Sequence, residues 1–186
     1  YIMSQIFVSG HKSPDTDSIA AALSYSYLKR RLGMDAVAVR AGEINKESRF
    51  ALDYFNLEEP ILVTSVERKN PEDEKQKVIL VDHNESKQTI DGMDDAEVLE
   101  IIDHHRFGDF ESENPIFILV RPVGCVNTVI YGLYKANHIK PSREIAGIML
   151  SAIISDTVLF RSPTTTEEDK ETAKELAEIA GVDYEA

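Results

Sequence analysis

The run Val78-Ile79-Leu80-Val81 leaves this chain the fewest folding choices. Four consecutive branched apolar residues cannot alternate between core and solvent. A strand built from them must be covered on both faces, which is the situation inside a parallel sheet. Before it, residues 67–77 are charged almost throughout and contain Asn70-Pro71, the signature of a solvated loop. After it, Asp82-His83-Asn84 ends the apolar run at once.

The rest of the chain alternates strand and helix patterns. Residues 5–10 form a short apolar run closed by glycine, and 17–32 carry Ile19, Leu23, Tyr27 and Leu28 at helical spacing, with Gly33 just past the end. Residues 37–39 are a second β-branched run, and 47–55 a helical stretch ending before Pro60. Further strands are predicted over 98–102 and 116–120, and helices over 126–135, 144–155 and 167–180. The expected fold is an α/β layered domain with a mostly parallel sheet flanked by helices, one domain over residues 1–186. At 42% hydrophobic content the chain is rich enough to bury a core.

Composition removes several function classes. A net charge of −13 repels polyanions, which argues against nucleic acid and anionic membranes as partners. No apolar run of about 18 residues offers a transmembrane span, and the first residues are too mixed for the apolar core of a signal peptide, so a cytoplasmic location is expected. Tyr1 and Ile2 precede Met3, a plausible initiator, and stand outside the fold argument. The single cysteine, Cys125, lies in an apolar stretch and reads as a small buried hydrophobe rather than a nucleophile.

In parallel sheets ligands gather at the carboxyl ends of the strands, and there the polar residues are all of metal-ligand type. His11, Asp15 and Asp17 follow the first strand, Asp82-His83 another, and Asp103-His104-His105 a third. Taken singly, Asp15 or Asp17 reads as a helix N-cap, and Asp82 or Asp103 as a turn residue. Four of the five histidines fall in these segments, however, while His138 sits at a helix end and reads as surface. Asp156 ends the apolar helical run through Ile153, an unfavourable place for an anion unless a cation offsets it. Mixed carboxylates and imidazoles suit manganese, cobalt or zinc better than magnesium or calcium, and shared carboxylates suggest two ions.

The segments His11-x3-Asp15-x-Asp17, Asp82-His83-Asn84, Asp103-His104-His105 and Ser155-Asp156 resemble the motifs of the DHH phosphoesterases. The flanking text, including 51–55, 122–125 and 150–156, is similar to the family II, manganese-dependent inorganic pyrophosphatases over essentially the whole chain from Met3. That resemblance implies hydrolysis of pyrophosphate to two phosphates by two-metal activation of a bridging water. It implies two divalent ions, manganese foremost and cobalt as the other option, with His11, Asp15, Asp82 and Asp156 on one and Asp17, Asp82, His104 and Asp156 on the other. His105 would face the substrate, Asp15 would take or hold a proton of the water, and His83 and Asp103 would orient the site without touching an ion.

The family also implies a homodimer and a smaller C-terminal domain with basic substrate-binding residues, expected to be absent from this chain, so that the core alone hydrolyses pyrophosphate poorly. Lys12, Arg106 and Arg161 are local cations that read as solvated surface charges. The loop at 67–76 is too short for a regulatory nucleotide-binding module. Two other readings remain: a DHH-type phosphodiesterase acting on short oligonucleotides or cyclic dinucleotides, and a non-catalytic dimerising core.

Overall fold

A computed structural model describes residues 5–185, so the reading of Tyr1, Ile2 and Met3 lies outside the described residues. Strand β1 (Ile6–Ser9) leads into helix α1 (Thr16–Arg31), then β2 (Ala36–Arg40), α2 (Lys46–Tyr54), β3 (Ile61–Leu62) and β4 (Lys77–Val81). After them come β5 (Glu97–Asp103), β6 (Phe117–Val120), α3 (Val126–Ala136), α4 (Arg143–Asp156) and α5 (Glu167–Ala180). Among the described residues the strands form one six-stranded sheet in the order β3-β2-β1-β4-β5-β6, with every pairing parallel.

The apolar run dictates the middle of this sheet. Ile79 and Val81 point into a core shared with Val8 and Ile102, while Val78 and Leu80 point into a second core with Val39 and Ile101. The first core is roofed by all five helices, the second by loop residues around Val66, Ile90 and Phe110. In α4, Ile145, Ile148, Met149 and Ile153 are all buried, each side chain contributing about 1.5–3 kcal/mol relative to exposure. No helix among the described residues is long and apolar enough to cross a membrane.

Two local outcomes differ from the sequence pattern. Helix α1 was expected to bury one stripe, yet Leu23 and Tyr27 are only half-buried, whereas Ala20, Ala21, Ala22, Ser24, Tyr25 and Ser26 are buried as well. The helix is wedged between the sheet and helices α3 and α4, so most of its circumference is interior. Strand β3 was not anticipated, because Ile61 and Leu62 remain exposed on the sheet edge and carry no burial pattern.

The chain runs outward from β1 to β3 in one direction and from β4 to β6 in the other. The carboxyl ends of β1 and β4 therefore flank the point where the strand order reverses, the place where such sheets open a crevice.

Candidate metal centre

Gly10 ends β1 because α1 rises directly against it: a Cβ added there would lie 2.5 Å from Ser18 Cβ. In the extended conformation of an N-cap, Asp15 accepts the Ser18 N–H at 2.9 Å, so capping is real. The same carboxylate also lies 3.6 Å from His11 Nε2. One residue into the helix, Asp17 is wholly buried and accepts from Val126 N at 2.9 Å, Asn127 Nδ2 at 2.6 Å and Cys125 Sγ at 2.9 Å.

Asp82 leaves β4 with φ of 62°, the left-handed region that an aspartate tolerates better than most residues. Its N–H still reaches Ile102 O at 3.0 Å, so the sheet ladder continues while the side chain turns into the crevice. Ser18 donates to its Oδ2 at 2.8 Å. At the last residue of β5, Asp103 is also buried and accepts from Asn84 Nδ2 at 2.6 Å and from His105 Nδ1 at 2.8 Å. Because a carbonyl can only accept, His104 Nδ1 must donate to Val123 O at 2.9 Å, which leaves Nε2 as a lone pair when the ring is neutral. That nitrogen faces Asp82 Oδ1 at 3.2 Å, Asp17 Oδ2 at 3.5 Å and Asp156 Oδ2 at 3.9 Å.

Of the site residues expected from sequence, His11, Asp15 and Asp82 form one group with ligand atoms within 4.8 Å of one another, as do Asp82, His104 and His105. Asp17 and Asp156 form a third such group with Cys125. His83 is buried beside them, its Nδ1 donating to Val81 O at 2.8 Å and its ring edge-on to His11. Lys12 is engaged by Asp91, Arg106 by Glu85, and Arg161 by the Val158 carbonyl of its own turn. His138 is exposed after α3. A cavity of about 1040 Å³ lined by Lys87, Asp91, Asp109 and Ile116 contains none of the site residues expected from sequence.

So many carboxylates in one buried place retain protons. Burial, reinforced by Asp17, Asp82 and Asp15, pushes Asp156 up to about 11. Burial and Asp82 push Asp17 up to about 6, against the pull of His104. Burial opposes the charge on His11, but Asp15 and Asp82 outweigh it and bring the ring to about 10; Asp82 and Asp17 do the same for His104, to about 9. Burial would raise Asp82, yet the two imidazoles hold it below the usual carboxylate range.

The donor set fits divalent ions. Asp82 Oδ1 and His104 Nε2 are buried without a hydrogen-bond partner among the described residues, although only 3.2 Å separates them. With the His104 ring neutral these are two acceptor atoms turned toward one point, an arrangement a shared cation satisfies; without an ion, the proton held by His104 offsets the repulsion instead. Sequence reasoning missed Ser18 and Asn127 and read Cys125 only as a hydrophobe. The cysteine is buried, but its thiol, pushed well up by burial and by Asp17, stays protonated and donates to Asp17 Oδ1. No short-range pattern announces such a bond between residues 108 positions apart.

Residues 5–153 match the family model described as "DHH family, N-terminal domain". The chain is 50% identical over 183 residues to the manganese-dependent inorganic pyrophosphatase of Bacillus subtilis, covering 98% of this chain and 58% of that one. A protein of Exiguobacterium sp. named "Probable manganese-dependent inorganic pyrophosphatase" is 52% identical with the same coverage. This chain thus spans 58% of the length of these curated relatives. A crystal structure from Methanococcus jannaschii, itself described provisionally as a family II inorganic pyrophosphatase, superposes with a TM-score of 0.86 at 43% identity over 96% of this chain and 57% of that one. An exopolyphosphatase-related protein of Bacteroides fragilis shares the fold, with a TM-score of 0.72 at 19% identity over 98% of this chain and 54% of that one. With its strand-exit motifs gathered in one crevice and the family model matched over most of its length, this chain belongs to the DHH family.

Proposed function

We propose that this chain is the metal-binding domain of a manganese-dependent inorganic pyrophosphatase, holding two divalent ions and hydrolysing pyrophosphate to two phosphates. The observation that carries the reading is the shared donor set: Asp82 lies between His11 and His104, with both Asp82 Oδ1 and His104 Nε2 buried and unpartnered among the described residues. His11, Asp15, Asp82 and Asp156 would hold one ion, and Asp17, Asp82, His104 and Asp156 the other. Bound there, the ions would lower the pKa of a shared water and screen the phosphoryl charge.

The chain's own groups do the rest. Asp103 holds His105 through Nδ1, and Nε2 of the half-exposed ring would bind a phosphate oxygen or protonate the leaving phosphate. Asp15, about half exposed, would take or hold a proton of the attacking water. The four carboxylates Asp15, Asp17, Asp82 and Asp156 balance the charge of two divalent ions, so an anionic substrate needs further cations. With Lys12 and Arg106 already paired to acids, a separate basic domain is the natural source of that clamp. The intact enzyme is proposed to be a cytoplasmic homodimer.

The test is a manganese count per chain together with phosphate release from pyrophosphate, for the chain and for Asp82→Ala. About two ions, slow release and loss of both in the variant are expected. A chain that takes up no metal, or cleaves a dinucleotide in preference to pyrophosphate, would overturn the reading.

A further inference from the structure

Two of the proposed metal-facing groups, His104 and Asp17, are held by one short loop. Val123 O takes the Nδ1 proton of His104 at 2.9 Å, and Cys125 Sγ and Val126 N donate to the two oxygens of Asp17, each at 2.9 Å. On its other side this loop is clamped to the start of α5. Arg121 makes a two-pronged pair with Glu168, both bonds 2.7 Å long, and Gly124 N donates to Asp169 Oδ2 at 2.8 Å.

Asp169 is fully buried and every oxygen is used. Oδ2 accepts from Gly124 N and, at 2.8 Å each, from Thr166 N and Thr166 Oγ1; Oδ1 accepts from Thr128 Oγ1 at 2.6 Å. The Thr166 bonds are a capping box and explain themselves locally. The bonds to Gly124 and Thr128 span 45 and 41 residues and do nothing for the helix start. The approach is tight: a Cβ on Gly124 would sit 2.9 Å from Asp169 Oδ2 and 3.0 Å from Thr157, the neighbour of Asp156.

We infer that Asp169 is a positioning residue for the metal centre: through Gly124 it sets the loop that fixes the tautomer of His104 and the rotamer of Asp17. It lies beyond residue 153, where the family model match ends, and touches no proposed ligand directly. The inference rests on the proposed metal reading. Partners that orient ligands from behind cost about 10–100-fold in metal affinity when removed.

Manganese titration followed by electron paramagnetic resonance, on folded chain well below its melting temperature, tests it. Asp169→Ala, which removes every acceptor for Gly124 N and Thr128 Oγ1, should raise the Mn²⁺ dissociation constant about tenfold or more and alter the spectrum of the bound ions. Thr128→Val, which keeps the Gly124 bond, should lower the melting temperature while leaving spectrum and affinity unchanged. A folded Asp169→Ala protein with wild-type affinity and spectrum would reduce Asp169 to a helix cap and sink the inference. If that variant does not fold, Glu168→Gln loosens the same loop from its exposed end: a severalfold weaker affinity supports the inference and an unchanged one overturns it. A wild-type chain that binds no Mn²⁺ removes the metal reading itself and this inference with it.

Discussion

Adding Mn²⁺ to the metal-free chain at pH 7 should expel about three protons per chain, from groups that stand at about 10, 9 and 11. These groups are His11, His104 and Asp156; a fourth, Asp17, at about 6, holds only about a tenth of a proton at that pH. A metal ligand must be deprotonated, so each occupied position releases its proton on binding. The sign follows: affinity rises with pH, and the overall constant for filling both sites changes about a thousandfold per pH unit near pH 7. That is about 4 kcal/mol, from three protons at about 1.4 kcal/mol each. The dependence should flatten above pH 9, as His104 loses its proton in the metal-free chain as well. Calorimetric titration in two buffers of different ionisation enthalpy counts the protons directly. Release of fewer than one proton, or an affinity constant between pH 6 and 8, would refute the electrostatic account of the crevice.

Further outcomes follow from single side chains. His105→Gln should leave the manganese count intact and lower turnover by about a hundredfold, the usual size of a lost acid–base contribution, read from phosphate release at saturating metal. Cys125→Ala removes the thiol donor from buried Asp17 and should cost about 1–3 kcal/mol in denaturant unfolding, with Cys125→Ser recovering part of it; equal stabilities of the three would mean that the bond contributes nothing. Gly147→Ala brings a Cβ within 2.2 Å of the Phe55 ring and should destabilise by about 1–3 kcal/mol through forced repacking of α2 on α4, again read by unfolding. In the metal-free chain, thermal stability should fall as pH rises from 6.5 toward 10. His11 and His104, raised on folding, stabilise fully below their unfolded value and lose that contribution as they deprotonate; manganese should suppress the fall.

Much of the site is legible in the sequence because a parallel sheet brings the ends of all its strands to one edge. Once Val78–Val81 reads as a buried strand, Asp82 must emerge at that edge, and Asp103-His104-His105 after β5 and His11 after β1 must emerge near it. Strand order needs no metal to be inferred, and residue type at three exits then points to one. Helix α4 announces itself equally well, since an apolar periodic run must be buried and its carboxylate end must go with it.

What the sequence could not disclose is the machinery behind the ligands. The donors to Asp17 come from residues 125–127, the acceptor for His104 from Val123, and the anchor for that loop from Asp169 on α5. These bonds join positions with no periodic relation, and each partner on its own looks like a helix start, a turn or a core filler. By itself the amino-acid sequence determined the sheet, its direction and the chemical type of the residues at its edge, because those depend on local pattern and strand polarity. Only the tertiary structure decided which nitrogen of His104 faces the crevice, which oxygens of Asp17 are tied, and which face of the sheet the helices cover, because a buried polar group takes its partner from whatever packing brings within hydrogen-bond reach.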